Sequence, residues 1–366
     1  MELKIERELL LKPLQQVIGV VERRQTLPIL GNVLLKTSDN ELSITATDLE
    51  IEMISHIQMQ GGDFSETTLP ARKFIDICKA LPNDAMINIK VEGERATIRS
   101  GKSRFVLSTL PATEFPNIDA FEALIEFKIA QKQLKKLIDQ THFAMAQQDV
   151  RYYLNGLLFE FSEELIRVVA TDGHRLALCD ETIATGVNEL QQVIVPRKAV
   201  MELSRLLENS EEPVTVQLGS NHIRLTTGEL SFITKLIDGR FPDYQRVVPQ
   251  GGDKIVIADR NLIHQALSRA SILSNEKYRS VRFTLSSGSL QVMANNPEQE
   301  EAEEEISVDY DGPSLEIGFN ASYVLDALNV IDDEQVQLEL TDQNSCCLIR
   351  SPASEEARYV VMPMRL

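Results

Sequence analysis

Apolar residues recur at three- and four-residue spacing in LLKPLQQVIGVVERR (10–24), QKQLKKLIDQTHFAM (131–145) and RNLIHQALSRASIL (260–273). That period places one apolar stripe along a helix, so each stretch is expected to be helical and amphipathic. Pro13 is expected in a first helical turn, where its missing N–H has no intrahelical partner to lose. Three other stretches, INIKVEG, VTVQLGS and VQLELTD, alternate apolar and polar residues, the period of a half-buried strand. A second set of helices is predicted at LPARKFIDICKAL (69–81), VPRKAVMELSRLL (195–207) and FNASYVLDALNVI (319–331). The first two open on Pro70 and Pro196. The pattern predicts an α+β chain with helices on one side of antiparallel sheet.

These elements come three times. Ala46-Thr47-Asp48, Ala170-Thr171-Asp172 and Ala294-Asn295-Asn296 lie 124 residues apart, each closing an alternating segment. Pro70, Pro196 and Asn320 are spaced by 126 and 124 residues, and Phe105, Phe232 and Tyr359 by 127 each. Three landmarks in one order at nearly one spacing imply three copies of one unit. The expected boundaries are 1–124, 125–250 and 251–366, each copy built as two helix-plus-strands halves.

Charge complicates the picture. A net charge of −18, from 55 acidic and 37 basic residues, argues against a nucleic-acid binder, which usually carries a basic footprint. Its distribution argues the other way. The six helical segments (8–24, 70–80, 131–142, 196–207, 258–270 and 320–331) carry a net +7, leaving −25 for the remainder. A mildly basic helical face on an acidic protein suits loose, sequence-blind contact with phosphates. Helices pack about 8–10 Å apart, so a ring of six leaves a hole on the order of 10 Å, and a ring of twelve about 30 Å. One chain cannot surround a duplex; two can.

Cys78, Cys179, Cys346 and Cys347 show neither C-x-x-C nor metal-ligand spacing and fit a reducing cytosol. The N-terminus lacks the apolar core of a signal peptide. No apolar run reaches the roughly 18–20 residues of a membrane span. A cytoplasmic location is expected, with no cofactor, no metal and no membrane partner.

One stretch reads like chemistry. ATDGHRLAL (170–178) gathers an acid, a glycine, a histidine and an arginine within four residues. Its twin ATDLEIEM (46–53) has no histidine, and the chain holds no H-E-x-x-H, glycine-rich phosphate loop or G-x-S-x-G. No catalytic residue is expected here, and Gly173 reads as a turn residue. Three functions stand side by side: a DNA-encircling scaffold, an enzyme using Asp172 and His174, and a repeat scaffold that binds only proteins, which the negative charge favours.

RQTLPILGN (24–32), QDVRYYLNG (148–156), ATDGHRLA (170–177), DGRFPDY (238–244), ILSNEK (272–277), ANNPEQEEAEE (294–304) and YVVMPMRL (359–366) together resemble the bacterial DNA polymerase III β-subunit family, the sliding clamps. The resemblance runs from end to end. It implies three repeated DNA-clamp domains, each with two helices packed on antiparallel sheet, forming half of a closed ring. It also implies a non-catalytic, homodimeric processivity factor around double-stranded DNA, associated with the nucleoid and loaded by an ATP-driven clamp loader. The implied partners are the polymerase III α subunit, the clamp-loader δ subunit, and other polymerases and repair proteins carrying short peptide motifs rich in glutamine and leucine.

By the same resemblance, DNA contact falls on Arg24, Arg72, Gln148, Tyr152, Tyr153, Arg197 and Lys198. Guanidinium and ammonium groups suit phosphates, and tyrosine and glutamine suit sugars or exposed bases. A partner-peptide pocket would use Leu154, Thr171, Gly173, His174, Arg175, Leu176, Pro242, Arg246, Val247, Asn320 and Tyr323. It would be completed by Cys346 and the C-terminal Val360, Val361, Met362, Pro363, Met364, Arg365 and Leu366. His174, Arg175 and Arg365 are expected on its polar rim, and Cys346 stands where members of the family carry a small serine. The dimer joint would set Lys73, Arg95, Arg104, Phe105 and Leu107 against Ile272, Leu273, Glu298, Glu300, Glu301 and Glu304. The acidic run PEQEEAEEE (297–305) of one copy would then meet the basic ERATIRSGKSRF (94–105) of another, a head-to-tail contact that closes.

Overall fold

Each alternating stretch forms a strand and each stripe a helix, in one order repeated three times. The computed structural model describes residues 2–21, 27–38, 40–59, 65–118 and 122–365. The first repeat runs β1 (Glu2–Glu6), α1 (Arg7–Val17), β2 (Asn32–Ser38), β3 (Glu41–Thr47) and β4 (Ile51–Gln58). It continues with β5 (Ser65–Pro70), α2 (Ala71–Ala80), β6 (Met86–Glu92), β7 (Arg95–Ser100) and β8 (Ser103–Ser108). The second has β9 (Ile125–Ala130), α3 (Gln131–Asp139), β10 (Gly156–Phe161), β11 (Leu165–Thr171) and β12 (Arg175–Thr182). Its other half is β13 (Gln191–Pro196), α4 (Arg197–Leu206), β14 (Pro213–Leu218), β15 (His222–Thr227) and β16 (Leu230–Lys235). The third has β17 (Lys254–Asp259), α5 (Arg260–Ala270), β18 (Ser280–Ser286), β19 (Ser289–Asn295) and β20 (Glu301–Ser307). It ends with β21 (Leu315–Asn320), α6 (Ala321–Val330), β22 (Gln335–Leu340), β23 (Cys347–Arg350) and β24 (Ala357–Val361).

The halves do not keep their strands to themselves. β1 leaves its own half to pair with β6, giving the order β1-β6-β7-β8, and β5 likewise pairs back to β2. Sheets also cross repeat boundaries. β4 pairs antiparallel with β16, and β12 with β24, which fuses four-stranded sheets into two eight-stranded ones. The chain accordingly divides into two compact units, Met1–Lys132 with Arg205–Leu236 and Gln133–Ser204 with Ile237–Leu366, each holding one eight-stranded sheet. The two remaining sheets, β1-β6-β7-β8 and β20-β19-β18-β21, stay four strands wide and end on β8 and β20.

Helices cover one face of each sheet. In the first unit Leu10, Leu14 and Val17 of α1 are fully buried, and the Ser55 hydroxyl on β4 donates to Gln16 Oε1 at 3.1 Å. Burying side chains of this size contributes about 1.5–3 kcal/mol each. The start of α1 differs from the sequence expectation. The helix begins at Arg7, whose Nε donates to the Cys78 carbonyl at 2.7 Å and whose backbone N–H donates to the Ala85 carbonyl at 2.9 Å. Pro13 therefore lies in the helix interior, where the Leu9 carbonyl loses its usual partner. The second unit repeats the scheme: Cys179 on β12 faces the helix side and donates to Gln140 Oε1 at 3.1 Å.

Candidate functional site

The ATD stretch is a turn held by its own side chains. Asp172 Oδ1 accepts the backbone N–H groups of His174 and Arg175 at 2.9 and 3.0 Å, while the Thr171 hydroxyl donates to the Arg175 carbonyl at 2.6 Å. The twin repeats each bond: Asp48 Oδ1 accepts from Glu50 and Ile51, and Thr47 donates to the Ile51 carbonyl. Local hydrogen bonding of this kind is what Asp and Thr supply in turns. Asp172 is occupied in holding the turn. Gly173 sits at φ +88°, and a Cβ there would lie 3.0 Å from Arg151 Nη1. The Arg151 side chain crosses beneath the turn, donating to the Asp172 carbonyl and pairing with Asp149. That pairing pulls the Asp149 carboxyl down to about 2.

Arg175 departs from its expected place on a polar rim. Its guanidinium bonds Asp172 Oδ2 and the Phe143 carbonyl at 3.1 and 2.8 Å, pairs with Asp326 on α6, and lies 4.6 Å from the Tyr323 ring centroid. A cation so fully engaged fastens the turn to α6 and has little left for a ligand. His174 remains exposed, its ring stacked on Tyr323 with centroids 6.4 Å apart.

Beside the turn lies an apolar cluster on the face of the sheet opposite the helices. Leu154, Leu158, Val169, Leu176, Leu178, Ile194 and Val360 form its floor, with Tyr153, Val247 and Cys346 packed partly exposed around them. The C-terminal segment is laced across this region: Met362 N–H donates to the His174 carbonyl at 3.0 Å and Met364 N–H to the Gly318 carbonyl at 2.8 Å. Pro363, Met364 and Arg365, with Gly318 and Asn344, line a cleft of about 630 Å³. Val361 is buried, Pro242 is exposed, and Arg246 is exposed and paired with Asp243. Asn320 caps α6 by accepting the Ser322 N–H. Leu366 lies outside the described residues.

The edge strands β8 and β20 carry opposite charges. On β8, Phe105 and Leu107 pair across from buried Ile98 and Ala96 and are themselves half-buried. Arg95, Arg99 and Arg104 alternate with them on the opposite face of the same sheet. On β20, Glu301, Glu303 and Glu305 are exposed and alternate with Ala302, Glu304 and Ile306. Glu304 faces α5, where Arg269 holds both its oxygens at 2.7 and 2.6 Å, so it is engaged within its own chain. Glu300 is bonded to Asn296, and Glu298 is exposed. Ile272, 74% exposed, and the half-buried Leu273 follow α5. Lys73 is exposed on α2.

Models of the DNA polymerase III beta subunit match the chain along its length: the N-terminal domain over 1–119, the central domain over 128–243 and the C-terminal domain over 245–365. The beta sliding clamp of Pseudomonas putida is 56% identical and that of Escherichia coli 54%, each over the whole of both chains. The crystal structure of the Pseudomonas aeruginosa subunit superposes with a TM-score of 0.98 at 54% identity, again over both full chains. The chain belongs to the DNA polymerase III β-subunit family. It is a sliding clamp, a non-catalytic processivity factor built from three repeated domains, and the enzyme alternative using Asp172 and His174 is set aside.

In this clamp the residues expected at DNA divide. Gln148, at φ +56°, and Tyr152, 57% exposed, stand on the loop before β10. Arg197 at the start of α4 reaches that loop by donating to the Met145 carbonyl at 3.2 Å, and Lys198 follows it. Tyr153 packs against the apolar cluster, its ring edge-on to that of Tyr152 with centroids 5.8 Å apart. Arg72 is exposed on α2 and donates to the Val21 carbonyl at 2.7 Å. Arg24 lies outside the described residues. Among the described residues no helix is long and apolar enough to cross a membrane.

Proposed function

We propose that two copies of this clamp join head to tail, β8 of each against β20 of the other, and that the closed pair encircles duplex DNA. One observation carries this reading. At both internal seams an aromatic residue of the incoming strand pairs with the residue opposite a landmark alanine. Phe232 pairs with Met53, itself opposite Ala46, and Tyr359 pairs with Ala177, itself opposite Ala170. The open edges hold the same parts unpaired: Phe105 on β8, and Ala302 opposite Ala294 on β20. Carrying the register over sets Phe105 of one copy opposite Ala302 of the next, and Arg104 opposite Glu303. The joint then completes a third eight-stranded sheet, pairs the β8 and β20 edges and brings opposite charges together.

The three domains divide at 124/125 and 250/251. Arg24, Arg72, Gln148, Tyr152, Arg197 and Lys198 contact the duplex, with little sequence preference. The apolar cluster around Leu176 and Val360 takes the short peptides of polymerase, clamp-loader and repair partners. Its aliphatic and methionine lining makes an adaptable slot. The clamp works in the cytoplasm, on the nucleoid.

Light scattering is expected to give a particle near twice 41.1 kDa. Arg104→Glu is expected to shift it toward monomer at micromolar concentration, and adding Glu303→Arg to restore the dimer. A double variant no better than the single one would refute the register. Protein loaded on nicked circular DNA is expected to survive high salt and leave when the circle is linearised. Equal loss from both forms would refute encirclement.

A further inference from the structure

The face of the second unit's sheet that carries the apolar cluster turns polar two residues further along each strand. Leu158, Val169, Leu178, Ile194 and Val360 give way to Glu160, Arg167, Asp180, Gln192 and Arg358. These form one polar row across five strands, hydrogen-bonded in two groups. Gln192 donates to Glu160 Oε1; Arg167 grips Asp180 through two bonds of 2.6 and 2.7 Å; Arg358 donates to Asp180 Oδ2 at 2.8 Å, across the β12–β24 seam. Tyr244 stands on the border. Its ring is buried in the apolar cluster and its hydroxyl donates to Glu160 Oε2 at 2.6 Å. Burial and the neighbouring Glu160 push the phenol up, so it remains a donor at neutral pH.

Tyr244 belongs to the segment that walls the pocket. It opens the turn Tyr244–Arg246, whose last bond runs from the Val247 N–H to the Tyr244 carbonyl at 2.9 Å. Pro242 and Arg246 on either side are exposed, so the segment's buried polar anchor is this hydroxyl. In the first unit Ile118 occupies the equivalent place after FP and is fixed by its backbone N–H, which Glu52 accepts at 3.1 Å.

We propose that Tyr244 is a positioning residue for partner peptides: held by Glu160, it sets the wall formed by Pro242, Arg246 and Val247 without itself reaching the ligand's polar groups. The proposal rests on the pocket reading above. Releasing the hydroxyl lets the wall sample other positions, and affinity falls with the fraction of molecules in the competent one.

The test measures binding of a fluorescein-labelled peptide, QLSLL, to the full-length dimer by polarisation, alongside thermal midpoint and mass. Tyr244→Phe is expected to weaken binding about five- to tenfold, the scale of one ordinary intramolecular hydrogen bond, with midpoint and dimer nearly unchanged. Glu160→Gln keeps an acceptor oxygen and is expected to bind within about twofold of the parent, whereas Glu160→Leu is expected to match Tyr244→Phe. Deletion of 362–366 is the control for the pocket itself. If that deletion loses the peptide while Tyr244→Phe binds like the parent, the tether is refuted and the pocket stands. If the deletion binds like the parent, the pocket reading fails. A fall in affinity that only follows a fall in thermal midpoint across all three point variants would also overturn the positioning role.

Discussion

The two eight-stranded sheets are built to one plan, yet only one of them offers an apolar floor. Superposing their registers pairs Leu34 with Leu158, Ile54 with Leu178 and Ile233 with Val360, all apolar. The other places differ: Thr45 stands for Val169, Thr68 for Ile194, Glu52 for Leu176 and Arg224 for Leu348. In the first unit two of these polar groups, Thr68 and Glu52, bind the chain that leaves β8. The Thr68 hydroxyl donates to the Leu110 carbonyl and accepts the Leu110 N–H, and Glu52 accepts the Ile118 N–H, so the chain leaving β8 is tied down over the floor. In the second unit the corresponding side chains are aliphatic and offer no hydrogen bonds. A duplicated scaffold thus yields one seam whose linker is hydrogen-bonded to polar floor groups and one whose linker rests on aliphatic ones, through four changes in side chain. Buried polar groups demand partners, and the chain's own linker supplies them in one case only.

The largest effect that sharpens this contrast is on binding. Deleting 362–366 is expected to weaken polymerase binding more than about 100-fold, as loss of a central anchor does, while the dimer mass is kept. Thr68→Ala in the first unit is expected to leave that affinity alone. Surface plasmon resonance decides it, and equal losses would erase the distinction between the seams.

A smaller pair of changes concerns the twin turns. Gly173→Ala places a Cβ at positive φ and against Arg151, and is expected to cost about 1–2 kcal/mol in chemical denaturation. Leu49 holds the matching place at φ +81° with a full side chain, 39% exposed. Leu49→Gly is therefore expected to stabilise the clamp by up to about 1 kcal/mol, the relief of the left-handed conformation less the entropy glycine adds to the unfolded chain. A destabilised Leu49→Gly would mean that packing of Leu49 outweighs its backbone strain.

The smallest effect is on pH dependence. Burial raises the Glu52 carboxyl above its ordinary value of 4.5, with the Ile118 N–H and Arg224 opposing. The folded state therefore holds this proton more tightly than the unfolded one. Its contribution to stability is present below the unfolded value and is lost as pH rises through the folded one. Glu52→Gln is expected to flatten the stability profile just above pH 4.5, and an unchanged slope would count against the assignment.

Much of this was legible in the chain. The equal spacing of ATD, proline and aromatic landmarks announced the repeat, because the same backbone turn needs the same side chains each time. Alternation announced antiparallel strands. Less legible was anything that depends on which strand lies next to which. Pairing of β1 with β6, and of β4 with β16, joins residues far apart in sequence, and no local period encodes it. For the same reason Arg175 read as a rim residue: Asp326, which engages it, lies 151 positions away. The motif QDVRYYLNG places Tyr153 at DNA with Tyr152, while the apolar cluster that its ring packs against is assembled from several strands.

Periodicity, turn chemistry and the recurrence of landmarks are properties of neighbours along the chain, and the sequence determined them by itself: three α+β copies, their turns, and an acidic and a basic strand at opposite ends. Tertiary structure decided what long-range pairing alone can bring about. It settled which seams close within one chain, which seam hydrogen-bonds its own linker, and which charged groups are consumed inside the fold. The difference is physical. A helix or turn is satisfied by groups a few residues away, whereas a buried carboxylate or an open strand edge is satisfied only by whatever the finished fold sets beside it.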